Sequence, residues 1–61
     1  MLKLEIQTGG SAFSDDEILT EEGRWELARL LRKAANEIKD GFDCGVLMDV
    51  NGNKVGSYTI E

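Results

Sequence analysis
The chain has 61 residues, 12 acidic and 7 basic side chains, a net charge of −5, one cysteine and no histidine. One cysteine forbids an intrachain disulfide, and a structural zinc site of the usual Cys/His type is excluded. The acidic balance disfavours generic nucleic-acid binding, which needs a basic surface against phosphate.

This length predicts a single domain over residues 1–61 with a thin core, for which self-association would add burial. No signal peptide and no apolar run of membrane-spanning length is read, so a complete small cytosolic product is expected. The acidic surface keeps a small protein soluble and suits a protein partner carrying a basic patch.

Leu2, Leu4 and Ile6 alternate with Lys3, Glu5 and Gln7, the period of a half-buried strand that ends near Thr8. Gly9-Gly10-Ser11 breaks it and opens a linker over residues 9–19. Within the linker Ser14-Asp15-Asp16-Glu17 matches a capping box, with Phe13 and Ile18 at the hydrophobic-staple positions. One helical turn near 15–19, breaking before Thr20, is the expectation. Asp15, Asp16, Glu17, Glu21 and Glu22 form an acidic pole, read first as a solvated cap and second as a docking surface for a basic partner.

The segment from Thr20 to Gly41 carries the strongest periodicity. At about 100° per residue, Leu27, Ala28, Leu31, Ala34, Ala35 and Ile38 share one stripe, with Leu30 at its edge. Thr20 is the expected N-cap, Glu21 and Glu22 suit the positive end of the helix dipole, and Gly41 supplies the stop. Were the helix to run on unbroken from the linker, Ile18 and Trp25 would share its outer face and Gly23 would weaken it. Trp25 falls off the stripe, beside Arg29 and Arg32. The favoured reading is cover by the preceding loop, through Phe13, Ile18 or Leu19. The alternative is an exposed aromatic flanked by arginines, the composition of an interface hot spot.

Two strands follow, over 44–50 and 54–60, around Asn51-Gly52-Asn53. A two-residue turn would pair Val46 with Ser57 and set Tyr58 opposite Gly45. A three-residue loop with Asn53 left-handed pairs Val46 with Tyr58 and Cys44 with Ile60. The second is favoured because it gathers Cys44, Val46, Met48, Tyr58 and Ile60 on one face. Leu47, Asp49, Val55, Ser57 and Thr59 then lie on the other. The predicted fold is α+β, β-α-β-β, with one helix on a three-stranded antiparallel sheet of order 2-3-1. Leu47, Val55 and the free strand edges become candidates for dimer contacts or for strand addition.

No constellation points to catalysis, a cofactor or a metal. Asp49, Asn51 and Asn53 share the spacing that opens an EF-hand loop. Lys54 and Ile60 stand where that loop needs Gly and a bidentate Glu, so a hairpin turn explains them. Cys44 has no histidine to activate it and is expected as a buried structural thiol. The acidic pole lies on a linker without a pocket to tune its carboxylates. Gly9-Gly10-Ser11 lacks the lysine and spacing of a phosphate loop.

Several pieces together carry a resemblance: Ala12-Phe13 before acidic residues, Glu26-Leu27-Ala28-Arg29-Leu30-Leu31-Arg32 on the helix, and Leu47-Met48-Asp49-Val50-Asn51-Gly52-Asn53-Lys54-Val55-Gly56 on the hairpin. The order resembles a group of short uncharacterised reading frames of bacteriophages, prophages and other mobile elements. It spans nearly the whole chain and departs in a longer linker around residues 15–23. The resemblance implies context and no site residues: small acidic phage proteins often bind a host protein, including as inhibitors of CRISPR or restriction systems.

Two readings follow. The first is a non-enzymatic protein-interaction module of phage or prophage origin in the host cytoplasm, including a homodimer, using Trp25, Arg29, Arg32, Leu47 or Val55. The second is an acidic nucleic-acid mimic acting through Asp15, Asp16, Glu17, Glu21 and Glu22. The first predicts binding little affected by salt, and the second predicts affinity that falls steeply as salt rises. Five clustered acids are few for a mimic, which favours the first.

Overall fold
The computed structural model describes residues 1–15 and 18–61. Its elements are β1 (Leu2–Ile6), β2 (Ser14–Asp15), β3 (Ile18–Leu19), α1 (Glu21–Lys39), β4 (Cys44–Met48) and β5 (Lys54–Ile60). β1, β5 and β4 form an antiparallel sheet in that order, and β2 pairs with β3 separately. Leaving out the short β2–β3 pair, this is the α+β arrangement and strand order predicted from the sequence.

The helix starts where its caps say it should. The Thr20 hydroxyl accepts the Gly23 N–H at 2.9 Å, and Glu21 and Glu22 occupy the first turn. The segment before it differs from expectation. Instead of a helical turn, Ser14 and Asp15 pair with Leu19 and Ile18 in extended conformation. Ser14 caps no helix, because its hydroxyl donates to the Thr8 carbonyl. The Glu17 half of the expected capping box lies outside the described residues. Ile18 is exposed and makes no staple, whereas Phe13 is wholly buried.

Phe13 explains the difference. Its carbonyl accepts both the Thr20 N–H, at 2.9 Å, and the Thr20 hydroxyl, at 3.1 Å. Those bonds continue the ladder of β2 and β3 and hold the Phe13 backbone across the first helical turn. The crossing occurs at Gly23, where a Cβ would lie 1.8 Å from the Phe13 carbonyl oxygen. Gly23 therefore costs helix propensity but lets the chain pass close enough to drop Phe13 into the core.

The core joins Phe13, Leu30, Ala34, Leu47 and Tyr58, with Leu4, Ile6, Ala12, Leu19, Leu27, Ile38 and Val55 packed around it. The buried line of α1 is Gly23, Glu26, Leu30 and Ala34, rotated from the stripe predicted on apolar residues alone. Leu31 and Ala35, expected inside, are exposed.

The hairpin register also differs. Val46 pairs with Ser57 and Gly45 with Tyr58, as a two-residue turn would give, and a bulge then brings Met48 opposite Lys54. A one-residue change of register exchanges the faces of a strand. Leu47 consequently enters the core, while Cys44, Val46 and Met48, expected there, are exposed. The cause is Tyr58. Its ring occupies the space above Gly45, where a Cβ would come within 2.6 Å of the ring and 2.7 Å of Glu37. Its hydroxyl donates to Glu37 on the helix at 2.7 Å. In the connecting turn Gly52 adopts a φ of 81°. Asp49 Oδ1 accepts the N–H groups of Asn51 and Asn53, each at 2.9 Å, so the acidic and amide side chains of this loop serve the turn.

Gly23→Ala tests the crossing. In a solvated helix this change adds up to about 1 kcal/mol of stability. Here the clash with Phe13 is expected to invert the sign and cost about 1–3 kcal/mol, read as a lower urea midpoint.

Candidate functional site
The outer flank of α1 and the end of the β4–β5 hairpin meet in one surface. Trp25 is 65% exposed and Val50 70% exposed. A shallow depression is lined by Ala12, Glu22, Trp25, Glu26, Arg29 and Val50. It shares Arg29 and Val50 with a second one lined also by Lys33, Val46, Met48 and Asp49. Val46 and Met48 are about half exposed. An indole, two valines and a methionine thus lie side by side with two cations, a larger patch than scattered surface hydrophobes make.

Buried polar contacts fix this surface. Glu26 is only 7% exposed. One carboxylate oxygen accepts from Arg29 Nε, and the other accepts the Val50 N–H at 2.8 Å. The hydrogen bond from Arg29 holds the Glu26 carboxyl below its ordinary range; burial opposes this, and the Val50 N–H assists it. Arg29 Nη2 also reaches the Met48 carbonyl at 3.2 Å. Two points of the hairpin end are therefore tied to one turn of helix. Lower on the same flank, Lys33 bonds Glu37 at 2.7 Å and approaches the Val46 carbonyl at 3.5 Å. The bond from Lys33 lowers Glu37, with Tyr58 contributing. Burial, then the bond to Glu37, pushes the Tyr58 hydroxyl up to about 12.

The residues predicted for binding divide. Trp25 and Arg29 are brought together and exposed, so the indole is not covered by the loop. Arg32 is exposed but is not among the residues lining either depression. Leu47 has no exposed surface and is withdrawn as a contact, because the register turns it inward. Val55 is half-buried and lines a separate surface depression with Glu5, Gln7 and Ser57, on the face of β5 opposite Tyr58 where the sequence places it. Asp15 is exposed on β2, and Glu21 and Glu22 are exposed on the first helical turn. Asp16 and Glu17 lie outside the described residues. Val46, Met48 and Val50 are the residues that sequence reasoning missed. The i, i+3 spacing of Glu26 and Arg29 was the available hint that one acid turns inward.

Both buried-side carboxylates, Glu26 and Glu37, have their oxygens engaged by donors. Among the described residues, no group of three or more His, Cys, Asp or Glu side chains is placed to hold a metal ion, and no helix is long and apolar enough to cross a membrane. Comparison with protein-family models, with curated proteins and with solved structures finds no match.

Two titrations test these contacts. Glu26 is depressed in the folded state, so its contribution is complete above about pH 4.5 and is lost as pH falls through the lower folded value. Glu26→Gln is expected to cost about 1–2 kcal/mol at neutral pH and to flatten the fall of denaturation midpoint below pH 4.5 relative to the unsubstituted chain. Tyr58 is raised, so stability is complete below pH 10 and is lost as pH climbs toward about 12. Tyr58 is the only tyrosine, and tyrosinate absorbance is expected near pH 12 in buffer but near pH 10 in urea.

Proposed function
We propose that this chain is a non-enzymatic protein-interaction module whose contact surface is centred on Trp25. The carrying observation is the exposed indole beside Val50, Met48 and Val46, on a platform immobilised by the Glu26 carboxylate. Tryptophan and arginine are the residue types that dominate interface energetics, most of all where a rigid support spares the ordering of side chains on binding. Arg29 is held by Glu26 and Met48, so its position is set before any partner arrives. The resemblance to reading frames of mobile elements supplies the context, a bacterial protein as partner in the cytoplasm of the host. The acidic residues Asp15, Glu21 and Glu22 border this surface in sequence. In this reading they tune the encounter without carrying the affinity.

The test is capture of partners from bacterial lysate by the intact protein and by Trp25→Ala, at low and high salt, followed by titration of the captured partner. Trp25→Ala is expected to weaken binding by about 30-fold or more, the scale of an interface hot spot, with little effect of salt on the unsubstituted protein. Binding that survives Trp25→Ala but collapses with salt would favour the acidic-mimic reading instead.

A further inference from the structure
The two edges of the sheet differ. On β4 the Asp43 carbonyl accepts the Ile60 N–H at 2.7 Å, so alternate residues 43, 45 and 47 face β5, and Val46 and Met48 direct their backbone groups outward. Those outward carbonyls are met by Lys33 and Arg29. Cations laid over an edge are a recognised obstacle to strand addition.

Among the described residues β1 has no such cation cover. The Gln7 N–H donates to Val55 at 2.7 Å, and the Met1 carbonyl accepts from Glu61 at 2.9 Å. Odd-numbered residues therefore face β5, and Leu2, Leu4 and Ile6 direct theirs outward. Among the described residues no hydrogen bond reaches those three N–H and three carbonyl groups from the outer side. The apolar surface beside them is also incompletely used. α1 comes closest to β4, with Arg29, Lys33 and Glu37 on that flank. Leu31, on the opposite flank of the helix, is 45% exposed, and Leu2 is 52% exposed.

We infer that β1 pairs antiparallel with β1 of a second copy of this chain, about a two-fold axis at Leu4. The charges on the strand choose the occupant and the register. In this register Leu4 meets Leu4 of the second copy, Leu2 meets its Ile6, and Lys3 meets its Glu5. All three outward residues pair, with two hydrogen bonds at each of three positions, and both charge contacts are between opposites. A slip of two residues one way sets Lys3 against Lys3, and the other way sets Glu5 against Glu5. Each slip also leaves one outward residue unpaired. Slips of one residue move the apolar side chains to the wrong face. Lys3 already contacts Glu61 at 3.3 Å in an exposed pair, so Glu5 of the second copy joins an existing ion pair. The inference goes beyond the Trp25 surface and uses none of its residues.

The experiment is sedimentation equilibrium of the whole chain in reductant, with a charge-reversal cycle. A reversible dimer is expected. Lys3→Glu alone and Glu5→Lys alone each place like charges opposite one another twice, and each is expected to weaken the dimer about tenfold. The double reversal is expected to restore it, which loss of a single strand's fitness would not do. In a Cys44→Ser background, Lys3→Cys chains mixed with Glu5→Cys chains are expected to form the mixed disulfide in preference to either homodimer. The two positions face each other in a non-hydrogen-bonded pair, whose spacing suits a disulfide. A monomer at all concentrations overturns the inference and leaves the Trp25 reading standing. So does a dimer indifferent to both charge reversals and lost in Trp25→Ala, which would move the second copy onto the other surface.

Discussion
A carboxylate held inside a thin core sets the geometry of this molecule. Glu26 lies on the buried face of α1, where an uncompensated charge would be costly. It is tolerated because two donors meet it, the guanidinium one turn further along and the backbone N–H of Val50. Neither donor works alone. Arg29 balances the charge, and Val50 fills the remaining oxygen and thereby fixes where the hairpin ends relative to the helix. The rotation of α1 and the position of Val50 follow from that arrangement. Glu37 repeats it about three turns later, between Lys33 and the Tyr58 hydroxyl, so both acids act as joints between helix and sheet.

Much of the fold was legible in local chemistry. Thr20, the acids after it and Gly41 bound the helix, and β1 and the Asn51-Gly52-Asn53 turn mark themselves by alternation and by turn residues. What could not be read locally was how these pieces meet. Periodicity counts apolar side chains, so it placed Leu31 and Ala35 in the core and ignored Glu26 and Glu37. The register failed for a related reason. Choosing the pairing with the most apolar face overlooked that Tyr58 is both the largest core side chain and a hydrogen-bond donor. It needs a glycine beneath its ring and an acceptor beyond it, and only the pairing with Gly45 provides both.

The same two errors explain which parts of the candidate surface were found. Trp25 and Arg29 stand out on the helix whatever the rotation, and a stripe rotated toward Leu30 leaves the indole still further from the core. Leu47 was drawn from the wrong face of a shifted strand. Val46 and Met48 were hidden by that shift, and Val50 gained its role only through a backbone bond to a side chain 24 positions away. The crossing of Phe13 over Gly23 was invisible as well. Glycine in a helix reads as a weakness until the second chain segment that needs the space is in view.

The unequal edges of the sheet have a consequence for growth. A strand open at both sides can template addition without end, which is the geometry of fibrils. Here the cations of α1 guard the β4 side, so the molecule is monovalent with respect to backbone pairing. Whatever strand is added at β1, a sheet of two such chains presents only guarded β4 strands at both ends. Pairing through β1 in the proposed dimer would therefore stop at two chains, without the polymerisation that an open edge ordinarily invites.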